Sequence, residues 1–283
     1  MPRAASAAAS AATSWACKVS IRAHPAFHHL FQQVAPDWAH DPDTLMRVDR
    51  LSDAAVWAAH EEAKAALVDE TRRRCGLTLR TDLPILAFAR RITGYKRPDL
   101  LFTDLERLRT IAARHPFQLV LAGKAHPQDG GGKALIQTIH DHARALAGAV
   151  AVAFLPGYDM NLAMVMVAGA DVWVNTPAPP MEASGTSGMK AGLNGVPNLS
   201  VLDGWWAEAC EEGVTGWPIG RDGSPAEEHA RDLYEKLQTT ILPIWHGDRP
   251  RWIRMMKQCI ARIGGRFHSQ RMMRRYAAEA YLR

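Results

Sequence analysis

The chain has 283 residues, of which 47% are hydrophobic, so it can bury a sizeable core in one or two domains. Its formal net charge of +5 is modest for this length, does not by itself indicate nucleic acid, and is compatible with anionic small molecules such as phosphates. The cysteines lie far apart without a C-x-x-C pair, which argues against a zinc knuckle or disulfide scaffold and predicts a reducing, cytoplasmic environment. No apolar run is long enough to span a membrane.

The first part of the chain divides into a low-complexity start and a helical lead-in. The first sixteen residues are rich in Ala and Ser and lack acidic residues, which fits a transit peptide or a disordered or mistranslated start. We therefore expect 1–20 to be disordered and 21–80 to be largely helical. In the lead-in, Ser52 is a suitable N-cap for a helix over Asp53–Cys75, and Gly76 stands where a C-terminal stop belongs.

Between residues 81 and 225, short apolar runs alternate with helical patterns. Alternation of this kind predicts an α/β domain with a parallel sheet covered by helices on both faces. Ligands in such sheets bind where the carboxyl ends of the strands meet the following loops. Residues 226–283 are predicted to be helices packed on this domain. The predicted strands are 85–90, 117–123, 150–155, 172–175 and 199–202, and the predicted helices are 98–115, 132–146, 160–170 and about 186–194.

The segment with the richest chemistry is EASGTSGMK, from Glu182 to Lys190, between a predicted strand and a predicted helix. Its small residues allow a tight backbone that aims several N–H groups at one point, and the start of the helix adds partial positive charge there. Ser184 and Thr186 supply hydroxyls, and Lys190 supplies an amine one turn into the helix. The segment therefore suits the binding of a phosphate group. It also suits an electrophilic carbonyl, with which the Lys190 amine would form a Schiff base. An ordinary glycine-rich loop with a solvated lysine is the alternative.

A second segment, ARRITGYKR at residues 89–97, directly follows the first predicted strand. Its four cations form a natural anion clamp, because Arg offers a planar fork and Lys a point charge. The alternative is a solvated basic loop. A third segment, AGKAHP at residues 122–127, also follows a strand and is weak evidence alone. Two phosphate-suited segments at one edge of a sheet favour an anion site over either alternative.

Several other classes are excluded by the patterns. The glycines before Lys133 are not a Walker A loop, because Pro127 and Ala134 occupy positions that require Gly and Ser or Thr. No G-x-G-x-x-G follows the first strand, which argues against a dinucleotide-binding dehydrogenase. His140 and His142 would point about 200° apart on a helix, so no metal site is expected. The C-terminal helices are basic but lack a nucleic-acid recognition motif, so no nucleic-acid partner is expected.

Taken in order, these segments resemble the C-terminal half of the α-glucan (glycogen, starch and maltodextrin) phosphorylases. EASGTSGMK, followed by NG at 194–195 and LDG at 202–204, is a highly specific match to that family's cofactor loop. ARRITGYKR resembles its phosphate-binding strand end, and AGKAHP resembles the adjoining loop. The resemblance extends from about residue 26 to Arg283 and is closer to the shorter bacterial branch than to the animal enzymes. It implies a Rossmann-like domain, the C-terminal half of a two-domain GT-B glycosyltransferase fold.

The resemblance implies pyridoxal 5′-phosphate as the cofactor and no metal. Lys190 would hold the cofactor as a Schiff base. Thr186 and the backbone around Gly185 would contact phosphate groups, and Lys96 would stand near the cofactor phosphate. In this family the 5′-phosphate acts in proton transfer, and the ring is not an electron sink.

The resemblance also implies retaining phosphorolysis of an α-1,4-glucan by inorganic phosphate, which yields glucose 1-phosphate. Arg91 and Lys96 would hold the inorganic phosphate beside the cofactor phosphate, and Glu182 and Ser184 would bind glucosyl hydroxyls. Lys190, Arg91 and Lys96 would then be the catalytic set. The sequence TG at residues 93–94 replaces the His-Glu pair of the animal branch, so the inner contacts of the clamp are expected to differ.

The N-terminal domain of that family, which forms the other wall of the cleft, has no counterpart in this sequence. We therefore expect a fragment with little or no activity alone, which works with a separately encoded N-terminal half or as a homo-oligomer. Two alternatives stay open. One is a non-catalytic remnant that binds pyridoxal phosphate or a protein partner, and the other is a nucleotide-sugar glycosyltransferase of related fold, which needs no pyridoxal phosphate.

Overall fold

A computed structural model describes residues 23–221 and 223–282, so the expectation of disorder for 1–20 lies outside the described residues. The lead-in folds into three helical elements, and its predicted long helix is confirmed. Ser52 Oγ accepts the N–H of Ala55 at 3.2 Å at one end of that helix, and Gly76 is left-handed, with φ of 74°, at the other. The elements are α1 (Pro25–Val34), a 3₁₀ helix (Pro42–Arg50) and α2 (Asp53–Cys75).

A single sheet of six parallel strands has the order β3-β2-β1-β4-β5-β6. The chain starts in the middle of this sheet and winds outward in both directions, which is the order of a doubly wound Rossmann sheet. The predicted α/β, Rossmann-like class is therefore confirmed. Five strands agree with the predicted runs to within one residue at each end. The strands are β1 (Ile85–Ala89), β2 (Gln118–Ala122), β3 (Ala151–Leu155), β4 (Val172–Asn175), β5 (Asn198–Val201) and β6 (Gly216–Ile219).

The sixth strand was not predicted from the sequence. β6 contains Pro218, which has no N–H to donate to a strand ladder. It lies at the edge of the sheet, where it pairs with β5 in the register Leu199–Trp217 and Ser200–Pro218. An edge strand tolerates proline because one side of it needs no partner. Sequence patterning alone does not show that this segment lies at an edge.

Helices alternate with the strands and then form the C-terminal part, as the sequence predicts. Short π-helical turns interrupt and end that part, at Leu237–Ile241, Cys259–Gly264 and Ala277–Tyr281. The helices after α2 are α3 (Leu105–Arg114), α4 (Gly130–Ala145), α5 (Met160–Gly169), α6 (Thr186–Leu193), α7 (Trp206–Ala209), α8 (Ala226–Lys236), α9 (Leu242–Gly247), α10 (Arg249–Gln258) and α11 (Ser269–Tyr276).

Helix α3 begins seven residues later than the predicted start at Pro98, so that prediction is wrong. The Asp104 carboxylate accepts the N–H of Arg107 at 2.9 Å and caps the helix there. The backbone N–H of Asp104 itself donates to the Tyr234 hydroxyl at 2.9 Å. A contact from α8 therefore settles where α3 starts, and the residues after Pro98 form a short 3₁₀ turn, Leu100–Phe102.

The strands bury side chains on both faces of the sheet. Leu86 and Phe88 belong to one apolar cluster, which includes side chains of α3 and α4. Ile85 and Ala87 belong to a second cluster, which includes side chains of α2 and α5. Helices cover both faces, which confirms the predicted layering and explains why the strands are continuous apolar runs.

The described residues contain no helix long and apolar enough to cross a membrane, and no cluster of metal-ligating side chains. Trp205 and Trp206 follow the fifth predicted strand, where the sequence favours packing at a domain seam over stacking on a sugar; both are almost fully buried in the larger apolar cluster, which confirms that they pack against other side chains. The clustering of Met160, Met164 and Met166 predicts that they fill the core; Met166 is fully buried, whereas Met160 is exposed at the start of α5, so the prediction is wrong for Met160.

Candidate active site

The loops that follow the strands meet at one edge of the sheet, because all the strands run parallel. β1 and β2 end in the register Ala89–Ala122, and β3 ends beside them at Leu155. Beyond the strands, the N–H of Ile92 donates to the carbonyl oxygen of Lys124 at 3.1 Å. The ARRITGYKR and AGKAHP segments therefore leave the sheet side by side.

A cleft of about 650 Å³ opens between these loops. Arg91 and Lys124, both exposed, give it two positive charges, and Tyr158 enters from the loop after β3. Burial raises the pKa of the Tyr158 hydroxyl, although the Arg90 charge opposes that shift. The charges and the hydroxyl suit an oxyanion such as phosphate. The cleft is lined by Arg91, Thr93, Lys124, Ala125, His126, Asp129 and Tyr158.

A buried ion cluster lies next to this cleft. Arg90 Nη2 and Lys96 Nζ each lie 2.6 Å from Oε2 of Glu182. Nη1 of Arg90 donates to Oδ1 of Asn175. Burial alone would raise the pKa of the Glu182 carboxyl, but the charges and hydrogen bonds of Arg90 and Lys96 outweigh it and lower the pKa. Arg90, Lys96 and Glu182 together carry one net positive charge, and the Asp203 carboxyl lies close enough to interact with both Lys96 and Glu182.

The LDG motif at residues 202–204 supports the loop that carries Glu182. Asp203 accepts the N–H of Glu182 at 2.8 Å and the N–H of Gly204 at 2.9 Å. The N–H of Trp205 donates to the carbonyl oxygen of Ser184 at 3.0 Å. Gly204 has φ of 57°, and a Cβ there would lie 2.5 Å from that same carbonyl oxygen. The spacing between EASGTSGMK and LDG is therefore a structural requirement, because the second motif shapes the first.

Helix α6 begins directly after this loop. Gly185 is left-handed, with φ of 94°, and Thr186 is the first helical residue, so Lys190 lies one turn into the helix, as predicted. The Trp205 ring packs against this turn, because a Cβ at Gly185 would lie 3.2 Å from its Cδ1 atom, and a Cβ at Gly188, in the first turn of α6, would lie 2.7 Å from its Cζ2 atom. Both positions need glycine for this close approach.

Ser184 Oγ, just before the start of α6, and Trp205 Nε1 are among the buried polar atoms that have no hydrogen-bond partner within the described residues. Buried polar atoms are nearly always paired in folded proteins, so such atoms mark places where a ligand or water completes the structure. Ser184 precedes the left-handed Gly185 and the start of α6, where N–H groups and partial positive charge are available. The arrangement at this helix start suits an anionic ligand.

The structure brings some of the predicted site residues into contact and separates others. Lys96 and Glu182 are in direct contact, although the sequence assigned them to different ligands. Arg91 points into the adjoining cleft, and its neighbour Arg90, which was not among the predicted site residues, contacts Glu182 instead. Successive side chains of an extended chain point in opposite directions, so only one of two adjacent arginines can face the carboxylate. The sequence offers no signal for which one does.

Comparisons with known proteins agree with this geometry. The sequence profile of the carbohydrate phosphorylase family matches residues 20–215. The chain is 40% identical to the glycogen phosphorylase of Aquifex aeolicus over 270 residues, which cover 86% of this chain and 39% of the relative. It is 40% identical to the maltodextrin phosphorylase of Thermococcus litoralis over 254 residues, which cover 83% of this chain and 30% of the relative.

A third relative, the glycogen phosphorylase of Mycobacterium tuberculosis, is 34% identical over 275 residues, which cover 87% of this chain and 32% of the relative. The chain thus spans roughly a third of the length of these relatives, while most of its own length is matched. The part matched by the family profile contains strands β1 to β5, the two basic loops, the Glu182 ion cluster and the start of α6. This chain belongs to the carbohydrate phosphorylase family.

Proposed function

We propose that this chain is the cofactor- and phosphate-binding half of an α-1,4-glucan phosphorylase. The reaction is the retaining phosphorolysis of glycogen or maltodextrin by inorganic phosphate to glucose 1-phosphate. The observation that carries the proposal is the cationic surplus around Glu182, which lies beside a cationic cleft at the ligand-binding edge of a Rossmann-like sheet. A phosphate nucleophile next to a developing oxocarbenium ion requires this concentration of positive charge.

Pyridoxal 5′-phosphate fits the residues present. The left-handed Gly185 and the N–H groups at the start of α6 form a suitable environment for a phosphate group. In this proposal Lys190 binds the cofactor carbonyl, and Thr186 and the Gly185 backbone bind its phosphate near Lys96. When bound, the cofactor supplies a phosphate group that exchanges a proton with the inorganic phosphate, and a second phosphate pKa of about 6 suits neutral pH.

The remaining site residues act on the substrates. Arg91 binds inorganic phosphate in the cleft, and Lys96 adds positive charge from the buried side. Glu182 accepts hydrogen bonds from glucosyl hydroxyls, because its lowered pKa keeps the carboxylate ionised at neutral pH. Ser184 offers its unpartnered hydroxyl to the same sugar. Arg90 holds Glu182 in place and shares its charge.

Turnover requires a second wall for the cleft. This chain matches only about a third of the length of its relatives, and we propose that polypeptide outside these 283 residues supplies the glucan-binding wall. The isolated chain then releases little or no glucose 1-phosphate. A reducing cytoplasmic location is consistent with the free thiols of Cys75, Cys210 and Cys259.

Reconstitution with pyridoxal phosphate tests the proposal. The purified chain is incubated with the cofactor, reduced with borohydride, and examined by absorbance and by mass spectrometry of its peptides. We expect one equivalent of cofactor on Lys190 and none in Lys190→Ala, with Lys133→Ala as the control for surface labelling. Equal labelling of wild type and Lys190→Ala would refute the cofactor site. Robust glucose 1-phosphate release by the chain alone would refute the need for a second wall.

The same reconstitution and activity experiments distinguish the two alternative functions. Cofactor on Lys190 without turnover, even when a glucan-binding half from a relative is supplied, would identify a non-catalytic binding module. Binding of a nucleotide sugar without incorporation of cofactor would identify a glycosyltransferase of another class.

A further inference from the structure

The residue after Lys96 ties two loops of the site together. Arg97 has a left-handed backbone, with φ of 43°, which is uncommon for a residue with a side chain. Its Nε donates to the carbonyl oxygen of Thr176 at 2.9 Å, and its Nη2 donates to that of Pro177 at 2.6 Å. The Thr176 hydroxyl in turn lies 3.1 Å from the carbonyl oxygen of Lys96 and 2.8 Å from that of Arg97. The loop after β1 is thereby fixed to the loop after β4, which leads to Glu182.

A buried histidine from α8 completes this junction. His229 is 1% exposed, and its Nδ1 lies 2.9 Å from Nη2 of Arg97. A guanidinium can only donate, so Nδ1 accepts, and the imidazole is neutral with its proton on Nε2. The backbone of Gly220 closes the other side of the ring, since a Cβ there would lie 2.3 Å from Cδ2 of His229. The ring therefore has little room to turn away from Arg97.

We propose that His229 is a positioning residue for the phosphate site, which acts through Arg97 to set the Lys96 ammonium against Glu182, and that protonation of His229 weakens anion binding there. This inference rests on the phosphate-binding role proposed for Lys96. His229 lies more than 130 residues after that lysine in the sequence and belongs to none of the motifs.

Burial and the charges that face His229 set the direction in which its pKa shifts. Burial, and then the charge of Arg97, lower the pKa of His229, and the opposing charges of Asp232 and Glu228 do not overcome them. Asp232 is itself paired with Lys236 at 2.6 Å. The neutral contact is therefore still present at the ordinary histidine pKa of about 6.5 and is lost only at lower pH, as the pH falls through the lowered pKa of His229. A protonated Nδ1 can no longer accept, and two cations then face each other.

Sulfate is the probe for this inference, because it stays dianionic where phosphate titrates. Its affinity for the full chain is measured by calorimetry at about pH 7.5 and about pH 4.5, because the lower value must lie well below the ordinary histidine pKa of about 6.5 to protonate a histidine whose pKa is lowered. We expect the wild type to bind about fivefold more weakly at the lower pH. His229→Asn keeps an acceptor oxygen that does not titrate, so it binds equally well at both pH values. His229→Leu loses the acceptor and binds about tenfold more weakly at both.

His246→Asn is the matched control. Burial also lowers the pKa of His246, but this residue bonds to the carbonyl oxygen of Pro116 at the opposite edge of the sheet, so its replacement leaves the pH dependence intact. A His229→Asn variant that keeps the wild-type pH dependence overturns the inference. If His229→Leu does not fold, the result for His229→Asn is sufficient to test it. Wild-type affinity that is equal at both pH values also overturns it. Sulfate binding that is absent, or that survives Lys96→Ala, overturns the phosphate site itself and this inference with it.

Discussion

Replacing Asp171 by Asn tests how the amino edge of the sheet, opposite the candidate site, is held together. Asp171 directly precedes β4, and its side chain is completely buried. It accepts hydrogen bonds from His60 Nε2 at 3.0 Å, from the Trp245 indole at 2.8 Å and from the backbone N–H of Ile85 at 2.8 Å. Lys64 Nζ lies 2.8 Å from its second oxygen. One carboxylate thus joins α2, α9 and the first residue of β1.

The expected loss of stability in Asp171→Asn follows from the burial of the ion pair between Asp171 and Lys64. Burial alone would raise the pKa of Asp171, but Lys64 and His60 outweigh it and hold the pKa well below its ordinary value. Asp171→Asn leaves the Lys64 ammonium buried without a counter-ion, which costs about 3–5 kcal/mol of unfolding free energy. For a chain of this size, such a loss lowers the melting temperature by about 6–20 °C.

Urea unfolding followed by circular dichroism measures this loss. Asp82→Asn is the control, because Asp82 pairs with Arg80 at an exposed site, where such pairs contribute at most about 1 kcal/mol. Combining Asp171→Asn with Lys64→Met removes both charges, so the double variant is destabilised by less than the sum of the single variants. A loss below about 1 kcal/mol for Asp171→Asn, or strict additivity in the double variant, refutes the reasoning.

The stabilising contribution of Asp171 depends on pH in a defined direction. Because folding lowers the pKa of Asp171, its stabilising contribution is complete above the unfolded pKa of about 3.9 and is lost as the pH falls towards the folded value. The gap in stability between wild type and Asp171→Asn is therefore widest at neutral pH and narrows in acid. The network lies far from the cofactor loop, so pyridoxal phosphate affinity is unchanged well below the melting temperature.

The remaining predictions concern the site. Gly204→Ala places a Cβ 2.5 Å from the carbonyl oxygen of Ser184, so we expect about tenfold weaker cofactor binding by absorbance titration. Gly213→Ala, also at positive φ but with no atom within 4 Å of the added carbon, leaves cofactor affinity unchanged, and equal effects of the two variants would contradict this. Glu182→Gln removes a negative charge but keeps a side-chain oxygen that can still accept the Lys96 hydrogen bond, so calorimetry should show about fivefold tighter phosphate binding at low salt. Unchanged or weaker binding would contradict this.

Much of the fold could be predicted because the relevant signals are local. A continuous apolar run of five or six residues indicates a strand buried on both faces, and five of the six strands were found in this way. The strand with Pro218 was not predicted, because a strand tolerates proline only at the edge of a sheet and the sequence does not show that this strand lies there. The start of α3 was misplaced because the Tyr234 hydroxyl, from α8, contacts the backbone of Asp104.

The candidate site divides in the same way. The sequence by itself determined the chemistry at the ends of the strands, namely the cationic loop after β1 and the small residues that lead to Lys190 one turn into α6, because strand ends and helix starts depend on neighbouring residues. Only the tertiary structure decided that Arg90 and Lys96 face Glu182, that Asp203 supports its loop and that His229 reaches Arg97. These contacts join residues far apart in the chain, and burial and charge pairing in the folded core select them.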